Sequence, residues 1–117
     1  MLLPLRARGR VQILLTLCLS VGCVVAAGHA QKPARHTQTV TISGFDFHPG
    51  SLTVSVGDTV VWTNKDIVTH TVTDATGHFD SGSIKPGASW RLLTKKSGTF
   101  HYACSPHPNM QGTLIVQ

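Results

Sequence analysis

The sequence predicts an all-β fold, a Greek-key β-sandwich of seven to eight short strands in one small domain. Three observations carry this. Beyond the first thirty residues no segment sustains a helical period, short runs rich in β-branched and aromatic residues recur instead, and turn-forming residues separate those runs. A chain of 117 residues supports one hydrophobic core and leaves no room for a second substantial one.

The first element is not part of that domain. Arg6, Arg8 and Arg10 precede an apolar run from Val11 to Ala27 that ends in small residues, Ala26, Ala27, Gly28 and Ala30. This order describes an export signal over residues 1–30, with cleavage after Ala30. A permanent membrane anchor fits less well, because Gln12, Thr16, Cys18, Ser20 and Gly22 dilute a run already short for a spanning helix of about 20 residues. The stretch "LSVGC" (19–23) resembles a bacterial lipobox, and its use would make Cys23 an acylated first residue, although Ser20 stands where leucine is usual. Residues 31–38 form a polar lead-in, and the folded domain is expected over 39–117.

Within the domain, "TVTIS" (39–43), "SLTVSV" (51–56), "TVVWT" (59–63), "THTVT" (69–73), "SWRLL" (89–93), "TFHYAC" (99–104) and "TLIV" (113–116) are the expected strands. Turns are expected at "HPG" (48–50), "GD" (57–58), "ATG" (75–77), "KPG" (85–87) and "SG" (97–98). The period of two puts Leu52, Val54 and Val56 on one face, and likewise Phe100, Tyr102 and Cys104. Cys104 therefore leaves its strand pointing the way the aromatics point, into the core, while His101 and Ala103 point outward.

Charge excludes one class of function. Without residues 1–30, seven Lys and Arg stand against five Asp, about +2, so the high isoelectric point belongs largely to the signal. The remaining basic residues are scattered and no basic aromatic stripe appears, which argues against nucleic-acid binding. Cysteine usage is sharper. Cleavage after Ala30 leaves Cys104 alone, and a lone thiol in an oxidising compartment is exposed to oxidation unless it is buried or held by a metal.

The segment "YACSPHPNMQG" (102–112) favours the metal. Cys104, His107 and Met110 follow one another at three-residue steps, and Pro106 and Pro108 restrict the backbone between them. Such a loop brings several donors to one point. Thiolate, imidazole and thioether form a soft set suited to copper in either oxidation state rather than to Mg or Ca. Of the seven histidines, His29 and His36 lie in the signal or lead-in, His48 and His78 at turns, and His101 on the outward face. His70, in "NKDIVTHTVT" (64–73), is left as the favoured fourth ligand.

With those residues in view, the chain resembles the cupredoxins, the type 1 blue copper proteins, and within them the amicyanin, pseudoazurin and plastocyanin group. The similarity runs from about Val40 to Val116: "FDFHPGSLTVSVGDTVVWTNKDIVTHTVT" (45–73) is similar to the half that leads to the first copper histidine, "FDSGSIKPGASW" (79–90) to the connecting segment, and "GTFHYACSPHPNMQGTLIV" (98–116) to the ligand-loop half. The resemblance implies one mononuclear copper ion cycling between Cu(I) and Cu(II), with His70, Cys104 and His107 as strong ligands and Met110 as a weak axial one. It implies a backbone N–H from Thr71 to the Cys104 sulfur, where many members carry Asn, and Pro108 removes one further N–H donor from that vicinity.

The implied function is one-electron transfer between redox protein partners in the periplasm, with His107 as the electron port and Pro106, Pro108, Asn109 and Pro49 around it as a small, transient docking rim. The protein is expected to act as a monomer without enzymatic activity, and to touch the membrane only if lipidated at Cys23. A copper-binding or delivery module is the alternative. A Cys104–His107 nucleophile pair is disfavoured, since no orienting group or oxyanion hole is evident.

Overall fold

The structure is a computed structural model that describes residues 27–117. Apart from residues 27–30, the predicted export signal, with its lipobox cysteine Cys23, lies outside the described residues. Eight strands follow: β1 (Thr37–Ser43), β2 (Asp46–His48), β3 (Ser51–Val54), β4 (Thr59–Asn64), β5 (Thr73–Asp74), β6 (Ser89–Leu93), β7 (Gly98–Ala103) and β8 (Gln111–Val116). They form two four-stranded sheets, ordered β2-β1-β4-β6 and β3-β8-β7-β5, with parallel pairing of β1 to β4 and of β3 to β8. Among the described residues there is no helix. The all-β sandwich predicted from the strand pattern is the observed architecture.

Alternation builds the core. In β4 the burial of Val60, Trp62 and Asn64 alternates with half-buried Thr59, Val61 and Thr63, and in β8 Leu114 and Val116 turn inward with the same period. The two inner faces meet over Val40, Ile42, Trp62, Phe100, Tyr102 and Leu114. Trp62 is the largest fully buried side chain and lies edge-on to Tyr102, at a centroid separation of 5.6 Å. As expected, Phe100, Tyr102 and Cys104 share the inward face of β7 and its end, while His101 is exposed and bonds Thr113.

Three local expectations differ from the structure. Residues 69–73 form no continuous strand: only Thr73 and Asp74 pair with β7, and His70 makes a single bridge to Ile84. The backbone donors of this stretch are directed elsewhere, Thr71 N–H to the Cys104 sulfur and Val72 N–H to the Ser81 hydroxyl, so no ladder propagates. Val56 does not continue the face of Leu52 and Val54. It lies past the end of β3 in the turn to β4 and is 45% exposed. Finally, β2 arises ahead of the expected 48–50 turn, where no strand was expected, because Phe47 pairs with Ile42 and buries its ring against Tyr102.

One end of the sandwich gathers the β1–β2 turn, the β4–β5 loop and the β7–β8 loop. Bonds from Gly44 and Phe45 to Asp66, and from Thr71 to Cys104, tie the three together.

Candidate metal centre

The β4–β5 loop is folded around the end of its preceding strand. Asn64 is fully buried. Its amide donates to the carbonyls of Val68 (2.8 Å) and Ile84 (2.9 Å), and its Oδ1 accepts the Asp66 N–H (2.9 Å). A buried amide with its polar atoms paired fixes the loop path rather than merely tolerating burial. That path delivers His70 to a reciprocal backbone pair with Ile84, at 3.1 and 2.8 Å, with its side chain fully buried.

The β7–β8 loop reaches the same place by two consecutive tight turns. His107 N–H bonds the Cys104 carbonyl (3.2 Å), Met110 N–H bonds the His107 carbonyl (2.9 Å), and Cys104 N–H bonds back to the Met110 carbonyl (3.1 Å). Pro108 occupies the first central position of the second turn, where its fixed φ is favoured. Each candidate ligand of the loop is thus a corner of a hydrogen-bonded turn. Cys104 and Met110 are buried, at 0% and 2% exposure, and His107 is half-buried.

The geometry brings all four sequence-predicted residues to one site. Cys104 Sγ lies 3.6 Å from His70 Nδ1 and 3.5 Å from His107 Nδ1. The ligand atoms of His70, Cys104 and His107 lie within 4.8 Å of one another. Metal bonds of about 2.0 Å to nitrogen and 2.3 Å to sulfur span both sulfur–nitrogen separations through a single ion. Met110 packs in the same buried cluster as Cys104. A thiolate, two imidazoles and a thioether make a type 1 copper-like site. The other histidines stay apart from it: His78 pairs with Asp74, His36 lies near Asp58, and His48 bonds the Ser43 carbonyl.

Thr71 makes two contacts with the cysteine segment. Its N–H reaches Cys104 Sγ at 3.3 Å, and its hydroxyl accepts the Ser105 N–H at 2.8 Å, while Thr73 and Ser105 extend the hydroxyl chain. A threonine hydroxyl therefore clamps the segment after the cysteine.

Two residues were missed by sequence reasoning. Asp66 Oδ2 accepts from His70 Nε2 at 2.8 Å, which commits the Nε2 proton to the carboxylate and leaves the Nδ1 lone pair facing the site. The N–H of Phe45, with help from that of Gly44 and the His70 ring, holds the Asp66 carboxyl below the usual carboxylate range despite partial burial. The available signal was the i,i+4 spacing of Asp66 and His70. Phe45 is the other, its ring set edge-to-face against both His70 and His107.

Comparison with known proteins agrees with this geometry. The model of the cupredoxin-like domain matches residues 16–116. Amicyanin of Paracoccus denitrificans is 31% identical over 83 residues, 67% of this chain and 63% of that protein, so the match spans less than two thirds of its length. Amicyanin-alpha of Methylorubrum extorquens is 29% identical over 112 residues, 87% of each chain. A solved amicyanin variant in its Cu(I) form superposes with a TM-score of 0.65 at 30% identity, over 74% of this chain and 87% of that one. With its sheet order, its convergent donors and a domain match that spans nearly the whole sequence, this chain belongs to the cupredoxin-like family.

Proposed function

We propose that this protein is a one-electron carrier built on a single copper ion, which His70, Cys104, His107 and Met110 would hold. One observation carries the proposal: donors from two separate loops converge within bonding reach of one ion, and no side chain beyond them is needed to complete the set. Copper bound there would supply a Cu(II)/Cu(I) couple. The chain's own part is to hold the donors still. His70 is fixed by Asp66 and Ile84, Cys104 by Thr71 and the end of β7, and His107 and Met110 by the two turns. A site that changes little between oxidation states favours outer-sphere electron transfer.

His107 is the proposed electron port, because it alone of the four is not buried. Around it Phe45 (51% exposed) and exposed Pro106, Pro108 and Asn109 form a weakly charged, largely apolar surface, suited to brief docking with redox partners. Export to the periplasm through residues 1–30, as a monomer, completes the proposal, with lipid anchoring at Cys23 as its variant. Catalysis by a Cys104–His107 pair is opposed by the complete burial of Cys104, which no substrate reaches. Copper delivery is opposed by the burial of three of the four donors, which slows exchange with an acceptor.

Copper loading followed by visible absorption spectroscopy is the test. Folded protein should show an intense thiolate-to-Cu(II) band that is lost in Cys104→Ser, and its absence from the loaded, unaltered chain would refute the assignment.

A further inference from the structure

The hairpin joining β1 to β2 closes through two residues, Gly44 and Phe45, with φ of 61° and 59°. Positive φ at both positions is what a type I′ turn demands, and glycine is the usual occupant of the second. Here glycine comes first and phenylalanine second. Among the described residues Phe45 is the only non-glycine residue with a positive φ. A bulky side chain in this region is strained, and such strain persists where the surroundings over-determine it.

What holds the turn is the Asp66 carboxylate. It accepts the N–H of Gly44 at 2.7 Å on one oxygen and that of Phe45 at 2.9 Å on the other. Successive amides of a turn form a nest for an anion. The oxygen that takes Phe45 also takes His70 Nε2. One carboxylate therefore binds the strained turn and a site histidine into a single unit.

What the turn presents is the ring. Phe45 stands at 5.3 Å and 88° to the His70 imidazole, and at 5.0 Å and 89° to that of His107, both within the edge-to-face range. Those imidazoles come from different loops, and their own centroids are 5.0 Å apart. A hairpin needing only a tight turn would be better served by glycine. The strain is accounted for by the placement of an aromatic ring across two histidines.

We propose that Phe45 is a positioning residue of the metal centre: the left-handed turn clamped by Asp66 sets its ring against both imidazoles, fixing their mutual angle and shielding their edges from water. His107 depends on it most, since it is carried on an exposed loop and no hydrogen bond to its outer nitrogen is among the described contacts. The consequence for electron transfer rests on the carrier function proposed above, whereas the positioning itself is a property of the metal-free chain and is tested there.

In metal-free protein, nuclear Overhauser contacts from the Phe45 ring to both imidazoles are expected, and Phe45→Gly should free the His107 ring, seen as faster side-chain relaxation, without lowering the melting temperature, because glycine suits the turn. Phe45→Tyr, which keeps the ring, should restore the rigid imidazole. In copper-loaded protein, Phe45→Gly should release the metal to a chelator about two- to tenfold faster, the size of a lost aromatic pair, and shift the visible and EPR spectra. Absence of the ring contacts in the unaltered chain overturns the proposal. So does an unchanged His107 relaxation rate in Phe45→Gly, which would mark Phe45 as a turn residue only. A folded chain that shows these contacts but binds no copper would sink the carrier function and leave the positioning intact.

Discussion

Replacing Asp66 by asparagine separates the charge and acceptor roles of this carboxylate while keeping its shape. The aspartate accepts three hydrogen bonds, Gly44 N–H on Oδ1 and both Phe45 N–H and His70 Nε2–H on Oδ2. An amide has one acceptor oxygen, and its nitrogen only donates. Whichever way the asparagine is flipped, its NH2 group meets at least one N–H donor. The orientation that keeps Phe45 and His70 satisfied abandons Gly44, which is exposed and finds water instead. A hydrogen bond to a charged group contributes about 1.5–3 kcal/mol, and water replaces part of this one, so we expect a loss of about 1 kcal/mol. For a domain of this size that lowers the melting temperature by roughly 4–8 °C. Because the flip preserves the His70 contact, copper affinity should fall toward the lower end of the range for loss of an outer-shell partner, about tenfold, while Asp66→Ala, which frees the His70 ring, should approach about a hundredfold. Chelator competition measures both. If Asp66→Ala bound copper as tightly as the unaltered chain, Asp66 would have no part in presenting His70 Nδ1, and the argument for its role would fail.

Three further outcomes follow from the core and its carboxylates. In Gly112→Ala the added Cβ would stand 2.5 Å from Tyr102 Cε2 and closer still to Cζ and Oη; with Tyr102 boxed by Phe47 and Trp62, overpacking should cost about 1–3 kcal/mol in chemical denaturation, and Gly112→Ala combined with Tyr102→Leu should recover much of it. Asp58 lies below the usual carboxylate range because the His36 and Ser55 N–H groups bond it, and Asp74 lies below it because donors from His78 and Thr76 outweigh a burial that pushes upward. Depressed carboxyls stabilise the fold above the ordinary aspartate value of about 3.9 and lose that contribution as pH falls through the folded value. Urea midpoints should therefore drop below about pH 4, with a shallower drop in Asp58→Asn; an identical slope would remove Asp58 from the account. Burial raises Tyr102, the chain's single tyrosine, above the usual phenol value of about 10, so phenolate absorbance should appear later in native than in denatured protein, and stability should decline as pH rises through that interval. Coincident titrations would contradict the burial.

The donors were legible because they sit in one short, proline-stiffened loop and because period-two alternation turns Cys104 inward with Phe100 and Tyr102. His70 could be reached by excluding the other histidines, yet its local structure could not. "THTVT" has strand composition, and only the diversion of the Thr71 and Val72 amides to Cys104 and Ser81 prevents a ladder. β2 was hidden by its three-residue length, since Phe47 belongs to a strand only through its pairing with Ile42. Asp66 and Phe45 were illegible for a related reason. Nothing within the hairpin foretells that a carboxylate 21 residues away will hold Phe45 in a left-handed turn.

The same contacts account for the survival of Cys104, the one cysteine among the described residues. Cys104 is fully buried, accepts the Thr71 N–H, and has an imidazole nitrogen on either side of its sulfur. A thiolate sulfur is a better metal ligand than a thiol and also a better target for oxidants. Access decides between those fates. Met110 and the core close the inner side, the Thr71–Ser105 bond closes the loop behind the sulfur, and Phe45 and His107 stand on the solvent side. Groups on every side thus exclude a reagent that must touch the sulfur, whereas electron transfer through His107, the port proposed above, would need no such contact.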